Sequence, residues 1–109
     1  MNMTDYQRAA AVFAQYPTLG HPLVYLALGL TGEAGEVAEK VKKLCRDDGG
    51  DLTEERREGI KNELGDVFWY LSETARQAGL TLAEVAQANL DKLTSRQARG
   101  VLTGDGDNR

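Results

Sequence analysis

Two pairs of acidic residues have a spacing that could do chemistry. Glu33 and Glu36 lie three positions apart, and so do Glu63 and Asp66. On a helix that spacing puts two side chains one turn apart on one face, roughly 5–6 Å between Cβ atoms. Each pair can therefore aim its carboxylates at a single point. Glu33 sits beside Leu30, Ala34 and Val37, while Glu63 and Asp66 are flanked by Ile60, Leu64 and Val67. All four acids thus fall at the edge of apolar faces, whereas Glu39, Glu54, Glu55 and Glu58 read as surface charge. Like charges about 4 Å apart repel by about 4 kcal/mol at an effective dielectric of 20. Four converging carboxylates need counter-charge, which two divalent cations would supply, and ligation by oxygen alone suits magnesium, with manganese as a substitute. A single E-x-x-E is common on solvated helix edges. Two such pairs on neighbouring helices are a different matter, and function and a plain solvated edge stand about level. A di-iron bundle would need Glu-x-x-His ligands, and the one histidine, His21, lies in a Pro/Gly segment away from both pairs.

The elements that must carry these acids are helices. Thr4-Asp5-Tyr6-Gln7 has the form of a capping box, followed by Tyr6, Ala10, Val12 and Phe13 at helical spacing and stopped by Pro17, Gly20 and Pro22. A second helix is expected from about 23 to 46, with the stripe Leu23, Leu26, Ala27, Leu30, Ala34, Val37, Val41 and Leu44. Asp47-Asp48-Gly49-Gly50-Asp51 reads as a solvated turn, because the alternating ligands and closing glutamate of a calcium loop are missing. Thr53 caps a third helix with Glu54 and Glu55 near its positive end, and Gly79 stops it. Its stripe is Ile60, Leu64, Val67, Phe68, Leu71, Ala75 and Ala78. Thr81-Leu82-Ala83-Glu84 is a capping box for a fourth helix that reaches about Arg99 and closes at Gly100. The short loop between the second and third helices makes them an antiparallel hairpin, which can bring the two acid pairs face to face. Residues 101–109 form a Gly/Asp-rich tail, expected to be mobile unless it contacts a ligand or partner.

Glycines interrupt the acidic helices. Gly29, Gly32 and Gly35 recur every third residue, and Gly65 separates Glu63 from Asp66. Each costs about 1 kcal/mol relative to alanine in a helix interior. Close approach of another backbone, room for a ligand beside the acids, or helix packing alone would each account for them. Tyr70 follows Asp66 by four, so its hydroxyl runs along the acidic face. On the fourth helix Asn89, Lys92, Arg96 and Arg99 form a polar and basic stripe that could hold a polyphosphate. For Arg96 and Arg99 taken alone, a solvated helix end complementing the dipole is the slightly better explanation. Tyr25, Trp69 and Phe13 are candidates for stacking on a base, and each also reads as a core residue.

A chain of 109 residues, 41% hydrophobic and 28% charged, has room for one globular domain. A domain this short buries a modest fraction of its surface, so completion by a second copy is expected. The net charge of −4 gives no reason to expect a nucleic-acid or membrane partner. The single Cys45 forms no internal disulfide and belongs to no zinc pattern. The longest apolar run, Leu23 to Leu30, is too short to span a bilayer. The N-terminal residues lack the basic and apolar regions of a signal peptide, so a cytoplasmic location is expected.

With these residues in hand, the chain resembles the MazG-like family of all-α nucleoside triphosphate pyrophosphohydrolases. Residues 28–43, with Glu33 and Glu36, are similar to its first acidic motif. Asn62 to Leu71, with Glu63, Asp66 and Tyr70, is similar to its second; Asn89 to Lys92 with Arg96 resembles its basic helix, and 104–109 a tail of compact members. The resemblance implies an all-α, antiparallel four-helix-type bundle completed by oligomerisation into a homodimer or homotetramer, with sites near the interface. It implies magnesium-dependent hydrolysis of a nucleoside or deoxynucleoside triphosphate to the monophosphate and pyrophosphate, in nucleotide-pool sanitation. Glu33, Glu36, Glu63 and Asp66 would bind metal, with Glu33 the first choice to activate water. Tyr70, Asn89, Lys92 and Arg96 would contact phosphates. Some relatives carry a further acid where this chain has Gly32. A phosphoribosyl-ATP pyrophosphohydrolase-like enzyme and a non-catalytic helical interaction module are the competing readings; a degenerate module would be expected to lose one of the four acids.

Overall fold

A computed structural model describes all 109 residues as four helices without a strand: α1 (Met3–Ala11), α2 (Pro22–Asp47), α3 (Glu54–Gln77) and α4 (Leu82–Ala98). Local chemistry sets their ends. Asn2 caps α1, its side chain accepting from the Asp5 amide, so the box anticipated at Thr4 is not used. Gln7 is drawn off instead, donating to the Leu80 carbonyl and accepting from the Leu82 amide. His21 caps α2 by accepting at Nδ1 from the Leu23 amide, and Pro22 takes the first helical position, where its missing N–H costs nothing. Thr53 caps α3, and Thr81 and Glu84 form the reciprocal box that opens α4. Gly79 and Gly100 adopt φ of +75° and +71°. They close α3 and α4 with the bonds Leu80 N–H to Ala75 O and Val101 N–H to Arg96 O.

α2 and α3 pack along one another as the expected antiparallel hairpin, and α1 rests on α3 and α4. Neither α1 nor α4 packs against α2. The four helices therefore do not surround a common core. Among apolar residues only Ala10, Leu26, Leu44, Ala75 and Leu82 are buried, while Val24, Leu28, Val41, Leu64, Leu90 and Leu93 are exposed. The radius of gyration is 16.8 Å, against about 13 Å for a compact chain of 100 residues. Val12 and Phe13 fall beyond the end of α1 and face solvent.

Polar contacts fix the connections. Arg56 donates to Asp48 across 2.6 Å, which ties the α2–α3 turn to the start of α3. The tail folds back on α4: the Arg96 and Arg99 guanidiniums donate to the Asp107 and Arg109 carbonyls, and Arg109 donates to the Val101, Leu102 and Gly106 carbonyls. Glu73 on α3 is fully buried. It accepts from Arg76 at 2.8 and 2.7 Å and from the Tyr16 hydroxyl at 3.2 Å, and Gln77 donates to the same hydroxyl. This network anchors the segment between α1 and α2. Truncating Glu73 to alanine strands those donors and should cost about 2 kcal/mol, the scale of a hydrogen bond to a charged group. That lowers Tm on the order of 10 °C, and thermal unfolding followed by circular dichroism reads it. A wild-type Tm would show that the anchor contributes no stability.

Candidate metal centre

The hairpin brings three of the four acids together. Oxygens of Glu33 and Glu36 from α2 and Glu63 from α3 all lie within 4.8 Å of one another. The helical repeat places the first two a turn apart, and the antiparallel pairing carries Glu63 opposite them. Glu36 is exposed, whereas Glu33 and Glu63 are half-buried. Asp66 stands outside this triad and is exposed, yet its charge acts on both Glu33 and Glu63. Lys40, four residues after Glu36, brings its Nζ to 3.9 Å from Glu63 and is the only cation paired with the cluster.

One lysine cannot neutralise this group, and the carboxyls show it. Glu33 is held above the ordinary glutamate range first by desolvation, then by the charges of Glu36, Asp66 and Glu63. Glu63 is raised as well, chiefly by a hydrogen bond shared with Glu36, with desolvation and the charge of Glu36 adding to it. Oε2 of Glu33 is buried without any hydrogen-bond partner. A buried carboxylate oxygen left bare is costly unless something positive meets it. A divalent ion with oxygen preference fits this donor set: several carboxylates, no competing soft ligand, one bare oxygen.

Tyr70 leaves α3 beside the cluster. Burial, the neighbouring Tyr25 hydroxyl and the charges of Glu33 and Asp66 all hold its phenol above its usual value, so it remains a neutral donor. Tyr25 and Trp69 belong to an aromatic cluster: Tyr25 stacks on Tyr16 with centroids 5.7 Å apart, and Trp69 meets Tyr70 edge-on at 5.1 Å. The Trp69 indole N–H donates to the Ala10 carbonyl, a partner in the fold. Asn89 and Lys92 lie exposed on α4 along an open groove with Leu80, Glu84, Val85 and Ala88. Since α4 does not pack on α2, that groove contains none of the four acids. Arg96 is buried and holds the tail, its Nε unpartnered.

Two further residues enter the site. Lys40 was legible as the i+4 partner of Glu36. Tyr6 was not, because it arrives from α1, where its ring packs on Phe68 at 4.6 Å and its phenol is raised by burial and by Asp66.

Comparison with known proteins agrees with the acidic motifs. Residues 23–101 match the MazG nucleotide pyrophosphohydrolase domain, a stretch that contains all four acids. The chain is 48% identical over 114 residues to the Gene 37 protein of Mycobacterium phage L5, with all of both chains covered. No solved structure matches.

The raised carboxyls predict a definite pH response. Glu33 and Glu63 bind protons more tightly folded than unfolded, so their contribution is fully present below the unfolded value near 4.5 and is lost as pH rises through the raised folded values. In chelator, Tm should therefore fall across that window, and less steeply in Glu33→Gln. Magnesium or manganese should raise Tm more at pH 8 than at pH 5, because cation and proton compete for the same oxygens. A melting curve indifferent to divalent ions at both pH values would remove the metal centre.

Proposed function

The chain belongs to the MazG nucleotide pyrophosphohydrolase domain family, and from that membership we propose that it hydrolyses nucleoside or deoxynucleoside triphosphates to the monophosphate and pyrophosphate with magnesium. The observation that carries this reading is the convergence of Glu33, Glu36 and Glu63 around an uncompensated buried oxygen. Together with Asp66 these residues would hold the divalent ions, which supply Lewis-acid polarisation of phosphoryl oxygens and stabilise the leaving pyrophosphate. Glu33 is the choice to take a proton from the attacking water, since it is half-buried and its Oε2 is engaged by no hydrogen bond. Tyr70 donates to a phosphate oxygen from the rim. Nucleotide-pool sanitation is the role that suits such a reaction.

Phosphate contacts from Asn89 and Lys92 need α4 to meet an acidic cluster that its own chain keeps apart from it, whereas Arg96 is buried against the tail and is not free to make one. A second copy can supply that meeting. The exposed Leu28, Val41, Leu64, Leu90 and Leu93, and the open arrangement of the helices, support a homodimer or homotetramer in which the site is completed between subunits.

Glu36→Gln and Asp66→Asn should each lower pyrophosphate release by about 100-fold or more, the scale of a lost metal contribution, with helicity retained. Turnover unchanged in either variant, or orthophosphate released in place of pyrophosphate, would overturn the assignment. Sedimentation equilibrium should give a mass of two or four 11.9 kDa chains. A monomer that still turns over would remove the shared site.

A further inference from the structure

Gly29 differs from the other glycines of α2. Nothing lies within 4 Å of a Cβ placed on Gly32 or Gly35, but at Gly29 that atom would collide with Cε1, Cζ and Cδ1 of Tyr70, the last at 2.6 Å. The Tyr70 ring therefore occupies the space that any other side chain at position 29 would take. A second residue of α2 also meets this ring. Tyr25, one turn before Gly29, brings its ring centroid to 6.4 Å from that of Tyr70. Tyr25 is in turn stacked on Tyr16 at an interplanar angle of 6°, and Tyr16 is hydrogen-bonded to the buried Glu73 and to Gln77. A continuous series of packed rings thus runs from a fully buried carboxylate to the rim of the acid cluster.

We propose that Gly29 and Tyr25 are positioning residues for the Tyr70 hydroxyl: the missing side chain of Gly29 opens the slot across α2 in which the ring lies, and Tyr25 fixes where its hydroxyl points. So placed at the rim of the acid cluster, the hydroxyl is held ready to donate to a phosphoryl oxygen of the substrate. This rests on the reaction proposed above. It gives Gly29 a cause of its own, tied to the site, that Gly32 and Gly35 do not share.

The test combines kinetics with an observation that needs no turnover. In wild-type protein a nuclear Overhauser contact should join a Gly29 α-proton to the Tyr70 ring protons; its absence overturns the slot, whether or not the protein is an enzyme. With a triphosphate substrate and magnesium, Gly29→Ala should lower kcat by about tenfold to 100-fold while KM stays within about twofold, the signature of one hydrogen bond to a charged group made in the transition state. Tyr70→Phe should show a similar loss, and adding Gly29→Ala to it should cost less than about twofold more. Tyr25→Phe keeps the stacked ring and the fold while removing the flanking hydroxyl. It should lower kcat by about threefold to tenfold, again without effect on the Tyr70→Phe background. Additive losses in these pairs, or wild-type kcat in both Gly29→Ala and Tyr25→Phe, would overturn the positioning role. A wild-type protein that shows the contact but releases no pyrophosphate from any triphosphate would instead sink the reaction itself, and the positioning role with it.

Discussion

Mutual repulsion of Glu33, Glu36 and Glu63 is the constraint around which the rest of this structure is arranged. Carboxylates within 4.8 Å of one another oppose the hairpin that assembles them. Only the pairing of α2 with α3 over most of their length holds them there. Lys40 offsets a part of that charge at Glu63. The remainder appears as raised carboxyl affinities for protons and as a buried oxygen with no partner. A protein that keeps such a group together in spite of its cost has a cation as the simplest compensation.

Around that cluster the elements divide into those that build the site and those that wait for something else. α2 and α3 contribute all four acids of the site. The segment between α1 and α2 reaches the site indirectly, through the buried Glu73, Tyr16 and the aromatic rings that end at Tyr70. α4, with Asn89 and Lys92, is held to α1 and α3 and remains apart from α2. Its exposed Leu90 and Leu93, and the exposed Leu28 and Val41 of α2, are apolar surfaces with no counterpart in one chain. A single chain therefore keeps Asn89 and Lys92 of α4 apart from the acids of α2 and α3.

Much of the architecture was legible in particular residues. Thr53 and the Thr81–Glu84 box opened α3 and α4 where expected, and Gly79 and Gly100 closed them, because caps and left-handed stops depend on neighbours a few positions away. The acid pairs were legible for the same reason, since i, i+3 spacing fixes a shared helical face. The first helix was read less well. Asn2 and not Thr4 caps it, since Gln7 is engaged by the backbone before α4, 73 and 75 residues away in sequence. The tail's return onto Arg96 and Arg99 was likewise hidden, because backbone carbonyls of any sequence can serve as acceptors.

The sequence by itself determined the helices, the ends of α3 and α4, the pairing of acids along each acidic helix and the family to which those motifs belong. Tertiary structure alone decided that Asp66 stands apart from the other three acids and that Gly29 faces a tyrosine ring while Gly32 and Gly35 face open space. It also decided that Arg96 is buried against its own tail and that α4 stays away from α2. The division follows from range. Periodicity and capping act within a turn or two of helix, whereas crossing position, burial and the partner of each polar atom depend on how rods separated along the chain come to lie against each other.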